Sequence, residues 1–373
     1  MSFNPTSENS AHPMIEFRGV SKEYGRGSAP AVRNLNLTVG RGELLTLVGP
    51  SGCGKTTSLK MINRLIEPTS GEIMVDGRNL RDLKAVDLRR HIGYVIQHVG
   101  LFPHMSVAGN IAVVPKILGW KKDRIGQRIE EVLTLVDLDP AEFAGRRPRD
   151  LSGGQQQRVG VARALAADPA IVLMDEPFGA TDPQTRQALQ LELIALQKKV
   201  AKTIVLVTHD VDEALKLGDR IAVFGPNAEL KQISTPADLL NRPSTEWVQR
   251  FIGGSPVLRH LQLQHFGDVK LLAPVDMVGG QVSFGGMSLI TEDGRPICWQ
   301  GAGKVPIVAT MPVGTNLADA VGRMLRQPHV PIVVVDDEGR YLGIADIQLI
   351  SSTLAEGDLD GTSDAPGRVA GDD

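Results

Sequence analysis

The chain has 373 residues, of which 42% are hydrophobic and 22% charged, with a formal net charge of -3. That length supports two or three domains with sizeable cores, and the even charge balance excludes a global basic bias toward nucleic acid. No apolar run reaches the ~18 residues of a membrane span, and residues 1–13 lack a charged-then-apolar signal pattern, so a disordered leader is expected there.

In chain order, Met14 to Phe17 and Leu35 to Val39 are short alternating apolar runs set off by Gly, Ser and Pro, which predicts antiparallel strands. Tyr24 falls in the loop between them. It reads either as a surface aromatic or as a platform for an adenine face, where stacking contributes about 1–3 kcal/mol per base. The apolar run Leu44 to Val48 then leads into Gly49-Pro50-Ser51-Gly52-Cys53-Gly54-Lys55-Thr56-Thr57, which fits G-x-x-x-x-G-K-S/T. Between a strand and a helix, this pattern predicts a phosphate site: the glycines let backbone N–H groups converge on phosphates at a helix N-terminus. Lys55 would reach the β- and γ-phosphates, and the Thr56 hydroxyl would hold Mg²⁺. The chain is therefore expected to bind a nucleotide. Cys53 and Cys298 are its two cysteines. A disulfide at Cys53 would obstruct the loop, so a reducing cytosol is expected.

A helix is predicted over Ser58 to Leu65, broken by Pro68-Thr69-Ser70-Gly71 before a strand pair near Ile73 to Val75. His91 to Gln97 reads as a buried strand with a polar end, and Ile125 to Val136 as a helix by its period. Arg146, Arg147 and Arg149 read as a solvated loop. Leu151-Ser152-Gly153-Gly154-Gln155 opens a helical segment, Gln156 to Ala166, and its paired glycines suggest a second anion-binding terminus. Ile171 to Met174 reads as a buried parallel strand that delivers Asp175 and Glu176 at its carboxyl end. Thr203 to Val207 delivers Thr208, His209 and Asp210 to the same edge. Strands alternating with helices argue a mainly parallel α/β sheet.

These residues, in this order, resemble the ATPase subunits of ABC transporters over roughly residues 14–235. The resemblance implies a P-loop NTPase of ABC-cassette type: a RecA-like core, an antiparallel β subdomain and a helical subdomain over about residues 98–165. It implies ATP and Mg²⁺ as ligands, with Mg²⁺ held by Thr56, Gln97 and, through water, Asp175. Glu176 is the implied general base, Gln97 a sensor of Mg²⁺ and the γ-phosphate, and His209 a γ-phosphate contact. Ser152, Gly153, Gly154 and Gln155 would complete the site of a second copy in a head-to-tail homodimer, and Asp182 would communicate across it. Taken singly, Gln97 reads as a satisfied core polar residue and His209 as a structural histidine. One departure is Thr181, where the superfamily usually has Leu.

Leu59 to Ile66, Tyr94 to Gln97, Leu101 to Met105 and Asp212-Glu213-Ala214 resemble the ATPases of quaternary-amine importers for glycine betaine, choline, carnitine and proline betaine. That family implies integral membrane permease subunits, an extracytoplasmic solute-binding protein acting indirectly, and a peripheral position on the cytoplasmic face of the membrane. Leu101, Phe102, Met105 and Trp120 suit a docking groove for the permease, since aromatics and Met are enriched at interfaces; some of them would equally fill the helical subdomain's own core. Residues 236–262 read as a helical connection, with Trp247 and Phe251 as docking residues.

Ser288 to Trp299 resembles Ile332 to Ile344: each has two apolar strands around an acidic-Gly-Arg turn, with Gly294 and Gly339 equivalent. A helix-period segment, Leu317 to Leu325, precedes the second copy. Residues 263–355 thus resemble an α+β CBS-like regulatory domain with a degenerate first repeat, and whether it binds nucleotide or only dimerises stays open. Residues 356–373 form an acidic segment expected to be disordered; it reads as a solubilising tail or as a sensor of ionic strength. An importer of another small solute, such as an amino acid or an anion, is the alternative reading. A soluble ABC ATPase acting on nucleic acid would need heptad runs and a basic footprint, and this sequence has neither.

Overall fold

The computed structural model describes residues 12–25, 29–97, 100–179, 182–253, 261, 264–268, 282–284, 287–300, 304–306, 310–324, 331–346 and 350. Residues 1–11 of the expected leader (1–13), the acidic tail and Thr181 lie outside the described residues. The chain divides into two compact units, residues 1–252 and 253–373.

The first unit begins with β1 (Ile15–Lys22), β2 (Val32–Val39), β3 (Leu44–Val48), α1 (Lys55–Ile62), β4 (Ser70–Val75), β5 (Arg78–Asn79), α2 (Ala85–Arg90) and β6 (Ile92–Val95). A helical stretch follows: α3 (Val107–Ile111), α4 (Val113–Ile117), α5 (Lys122–Leu135), α6 (Pro140–Phe143) and α7 (Gly153–Leu165). The unit closes with β7 (Ile171–Asp175), α8 (Pro183–Val200), β8 (Thr203–Thr208), α9 (Val211–Leu217), β9 (Arg220–Phe224), β10 (Leu230–Ser234), α10 (Pro236–Asn241) and α11 (Glu246–Ile252).

Six strands form the main sheet in the order β10-β9-β3-β8-β7-β6, parallel except for β10 at the edge. Every residue of β3, β7 and β8 is buried, as expected of parallel strands covered on both faces. The sheet β2-β1-β4-β5 is antiparallel throughout. In β2 the buried residues Val32, Leu35, Leu37 and Val39 alternate with exposed polar ones after one irregular step, so one face meets the core. Val107, Ile111, Val132, Leu133, Phe143 and Val159 join the helical layer to the core around Val172 and Met174. An α/β core, an antiparallel sheet and a helical layer are thus all present.

Two elements beside the site differ in extent from the sequence reading. The helix expected over Ser58 to Leu65 starts at Lys55, because Gly54 takes a left-handed conformation (φ 98°) and serves as N-cap. It ends at Ile62, with Arg64 left-handed just beyond. The strand expected over His91 to Gln97 pairs only over Ile92–Val95, leaving Gln97 exposed on the loop that follows. The rings of Trp247 and Phe251 stack on each other at 5.2 Å on α11, which belongs to the first unit.

The second unit holds two sheets. The first is an antiparallel meander of β11 (Val282–Phe284), β12 (Met287–Glu292), β13 (Arg295–Gln300) and β14 (Lys304–Pro306). The second is built from β15 (Thr310–Pro312), α12 (Leu317–Met324), β16 (Ile332–Val335) and β17 (Tyr341–Ala345), with β15 parallel to β16 and β17 antiparallel to it. Both acidic-Gly-Arg segments are hairpin turns. Asp293 and Gly294 have φ of 50° and 76°, the two positive values a tight hairpin favours. Leu289 and Trp299 of the first hairpin pack with Val333, Val335 and Ile344 of the second, and Tyr341 N–H donates to Gly294 O at 2.8 Å. The surroundings differ: β11 precedes the first hairpin, whereas β15 and the α-helix α12 precede the second.

Candidate nucleotide-hydrolysis site

Parallel registry brings the expected residues to one edge of the main sheet. Val48 pairs with Thr208, and Asp175 with Val207. The loop after β3, the Asp175-Glu176 pair after β7 and the turn after β8 therefore emerge side by side at the strands' carboxyl ends, where open α/β sheets bind ligands.

The loop 49–54 is shaped by what a side chain would strike. A Cβ on Gly54 would collide with the Ala31 carbonyl, and one on Gly49 with the Phe224 carbonyl and Cys53 Sγ. Lys55 is buried, and its Nζ donates to Gly49 O at 2.7 Å and Pro50 O at 2.9 Å. The ammonium is thus held over the loop by two neutral carbonyls, which phosphate oxygens would replace with stronger charge-assisted bonds. Burial pushes the Cys53 thiol up, with Lys55 acting against it. Tyr24 is exposed, yet its hydroxyl lies 3.4 Å from Thr57 Oγ1, so the loop between β1 and β2 brings an aromatic ring beside the first turn of α1.

Thr56 Oγ1 donates to Asp175 Oδ1 at 2.8 Å. Burial raises the Asp175 pKa above the usual carboxylate range, and the Thr56 hydrogen bond opposes it. Among the described residues no group of three His, Cys, Asp or Glu could hold a metal. One hydroxyl and one carboxylate are nevertheless a donor set that suits Mg²⁺, which retains waters and binds with phosphates.

Glu176 adopts a left-handed backbone (φ 46°), and its N–H donates to Val207 O at 2.9 Å. That turn directs its carboxylate away from the strand line. Gln97 Nε2 donates to Glu176 Oε2 at 2.8 Å, while His209 Nδ1 lies 3.4 Å from Glu176 Oε1. Gln97, which the sequence reading gives to Mg²⁺ and the γ-phosphate, is thus seated here on Glu176.

The remaining expected residues form a second group. Ser152 caps α7: its Oγ accepts from Gln155 N–H at 3.3 Å, and Gln155 Oε1 accepts from Ser152 N–H at 2.9 Å. This reciprocal capping box satisfies two otherwise orphaned donors. Gly153 has open space where a Cβ would be, whereas a Cβ on Gly154 would sit 2.8 Å from Thr185 Cγ2. Asp182 caps α8 by accepting from Thr185 N–H at 3.0 Å, and bonds from Thr185 hold its carboxyl below the usual range. Thr185 therefore links Gly154 and Asp182 within one copy.

Two features escaped the sequence reading. Arg163 Nη1 on α7 donates to Gly100 O at 2.7 Å, tying α7 to the loop beyond Gln97. The buried Thr208 and Glu213 and the half-buried Asp210 form a hydrogen-bonded chain around His209 in sequence. Acidic residues in a first helical turn ordinarily signal only favourable placement against the helix dipole, so their spacing carried no sign of burial.

A glycine-rich loop with its lysine, a hydroxyl–carboxylate pair and a bracketed glutamate define a P-loop nucleoside-triphosphatase. Comparison with known proteins agrees. The ABC transporter family matches residues 32–179. The osmoprotectant import ATP-binding protein OsmV of Salmonella typhimurium is 43% identical over 371 residues, covering 92% of this chain and 97% of that protein. The choline transport ATP-binding protein OpuBA of Bacillus subtilis is 43% identical, covering 89% and 93%. A solved dimeric ATP-binding cassette in a post-hydrolysis state, bound to ADP and Pi, is 36% identical with a TM-score of 0.53, covering 60% of this chain and 99% of that one. The chain belongs to the family of ABC-transporter ATP-binding proteins of osmoprotectant import.

Proposed function

We propose that this chain is the ATP-hydrolysing subunit of an importer for glycine betaine, choline, carnitine or proline-type osmoprotectants, working through a separate permease. The observation that carries the reading is the bracketing of Glu176 by Gln97 and His209 beside the Thr56–Asp175 pair. Loop N–H groups and Lys55 bind the phosphates, and Tyr24 would stack on the adenine, a role its position beside the first turn of α1 supports. Thr56 and Asp175 would hold Mg²⁺, which supplies charge neutralisation when bound. Glu176 accepts the proton of the water that attacks the γ-phosphorus, the bond from the bridging oxygen to that phosphorus breaks, and ADP leaves with phosphate. Gln97 and His209 orient that base.

Ser152, Gly153, Gly154 and Gln155, whose helix N-terminus is exposed, would face the γ-phosphate of a second copy, with Asp182 at the junction; that the solved relative is dimeric supports this. The groove lined by Arg89, Tyr94, Ile96, Phe102, Val114 and Arg163 offers apolar and basic groups to a permease segment. No helix among the described residues is long and apolar enough to cross a membrane, which fits a peripheral subunit on the cytoplasmic face. The second unit is read as a CBS-like regulatory domain on the strength of its paired hairpins. The test of the whole reading is uptake of labelled glycine betaine and choline by cells lacking the gene, complemented with wild type or Glu176→Gln. Rescue by wild type alone supports it, and unchanged uptake on deletion redirects the search to another solute.

A further inference from the structure

Glu213 lies on α9, only 6% exposed, and the hydrolytic chemistry above does not use it. Its Oε2 accepts from Thr208 Oγ1 at 3.1 Å, while Oε1 is buried with no hydrogen-bond partner among the described residues. Thr208 Oγ1 accepts the Asp210 N–H at 3.0 Å. Asp210 Oδ1 then returns to the helix, accepting the N–H groups of Asp212 at 2.9 Å and Glu213 at 3.2 Å. The chain of bonds closes on itself, and His209 is the residue it encloses between Thr208 and Asp210.

The charged surroundings of Glu213 are mixed. Burial pushes its pKa up to about 7, Asp210 and Glu176 push the same way, and the Thr208 bond and Arg186 of α8 oppose them. From β3, α9 meets the uncharged Thr46, whose hydroxyl donates to Ala214 O at 3.4 Å. Lys216 on α9 itself donates to Gln190 of α8 at 3.3 Å.

We propose that Glu213 is a positioning residue for ATP hydrolysis: acting through Thr208 and Asp210, it fixes the turn that carries His209 and so the seating of His209 against Glu176. The protonated carboxyl holds the turn. Ionisation puts a further negative charge in a buried space already facing Asp210 and Glu176, and the turn loosens as that charge seeks Arg186 or water.

This inference rests on the ATP-hydrolysis reading, and the experiment separates the two. The kcat and KM for ATP of the full-length chain are measured from about pH 6 to about pH 8.5, a span that brackets ordinary general-base titration. The proteins are wild type, Glu213→Gln, Glu213→Ala, Thr208→Val and Glu176→Gln. Glu213→Gln keeps an acceptor for Thr208 without the charge. Its kcat is expected within about twofold of wild type at the acid end and about threefold above it at the alkaline end, the ratio changing through neutrality. Glu213→Ala and Thr208→Val are expected to lose about tenfold in kcat with KM within about twofold, the pattern of a lost transition-state interaction. A Gln-to-wild-type ratio that stays constant with pH overturns the proposal, as does a Gln variant as impaired as the Ala variant throughout. Should Glu176→Gln hydrolyse ATP like wild type, the hydrolytic reading fails and takes this inference with it. Should Glu176→Gln be inactive while Glu213→Gln and wild type superimpose, this inference alone fails.

Discussion

Gln97 and Glu176, 79 residues apart in sequence, are joined by a 2.8 Å hydrogen bond from the Gln97 amide to the Glu176 carboxylate. One residue follows the edge strand β6, and the other follows its neighbour β7. Whatever moves the loop after Gln97 therefore acts directly on the proposed base. Glu176→Gln is expected to lower kcat for ATP by about 100-fold or more while nucleotide binding persists, because general-base removal ordinarily costs about 10²–10⁴. Gln97→Ala leaves the base present but poorly oriented, so an intermediate loss of about tenfold is expected. Paired measurements of turnover and nucleotide dissociation constant check both. Tight binding with unaltered turnover in Glu176→Gln would remove the assignment.

The Thr56–Asp175 hydrogen bond predicts how the site responds to metal. Thr56→Val removes one oxygen from the proposed Mg²⁺ set and leaves the buried Asp175 carboxylate without its donor. Hydrolysis in the variant should require about tenfold more Mg²⁺ for half-maximal rate, and EDTA should abolish it in wild type. The nucleotide-free chain should also lose about 1–3 kcal/mol, the cost of an unsatisfied buried polar group. A magnesium titration and a urea melt report the two effects separately.

The raised pKa of Glu213 makes stability depend on pH with a definite sign. Folding holds this group at about 7 against an ordinary 4.5, so the folded state binds its proton more tightly than the unfolded state. Its contribution is fully present below the ordinary value and is lost as pH rises through 4.5 toward about 7, levelling off above that. Full ionisation corresponds to about 3 kcal/mol. Denaturant midpoints of wild type should therefore fall across that window relative to Glu213→Gln, whose profile should be flatter. Parallel profiles would show that burial does not perturb the group.

The sequence exposes the phosphate loop, the Asp175-Glu176 pair, His209 and the α7 capping segment because each is a local pattern whose chemistry depends on spacing along the chain. Strand identity was equally readable where the run is apolar, as over residues 171–174 of β7 and 204–207 of β8. What stayed hidden depends on tertiary placement. The left-handed turn at Glu176 follows no glycine, and nothing in the spacing of Gly154, Asp182 and Thr185 shows that they meet. The paired hairpins of the second unit were visible as a repeat, and so was the helix before the second, but the strands flanking them, β11, β14 and β15, were not, because repeated turn chemistry fixes a hairpin and leaves its neighbours free.

Gly54 offers a test of backbone shape. Its φ of 98° and the Ala31 carbonyl against its Cβ position both penalise a side chain. Gly54→Ala should cost about 1–3 kcal/mol of stability and weaken ATP binding by more than tenfold as the α1 N-terminus moves. Isothermal titration with a non-hydrolysable ATP analogue measures the binding, and a thermal melt the fold.

The groove beside Gln97 predicts where transport and hydrolysis couple. Phe102 is 41% exposed, yet its backbone is fixed, since its N–H donates to Asn110 Oδ1 at 2.7 Å and its carbonyl accepts from Asn110 Nδ2 at 3.2 Å. Arg163 ties the same loop to α7 through Gly100. A carboxylate at position 102 would thus leave the local fold in place while offering the permease a charge instead of an aromatic ring, and removing a central aromatic anchor costs about 2 kcal/mol or more at an interface. Phe102→Asp should bind nucleotide normally, copurify poorly with the permease and fail to support osmolyte uptake. Copurification equal to wild type, measured at matched expression, would place the docking surface elsewhere.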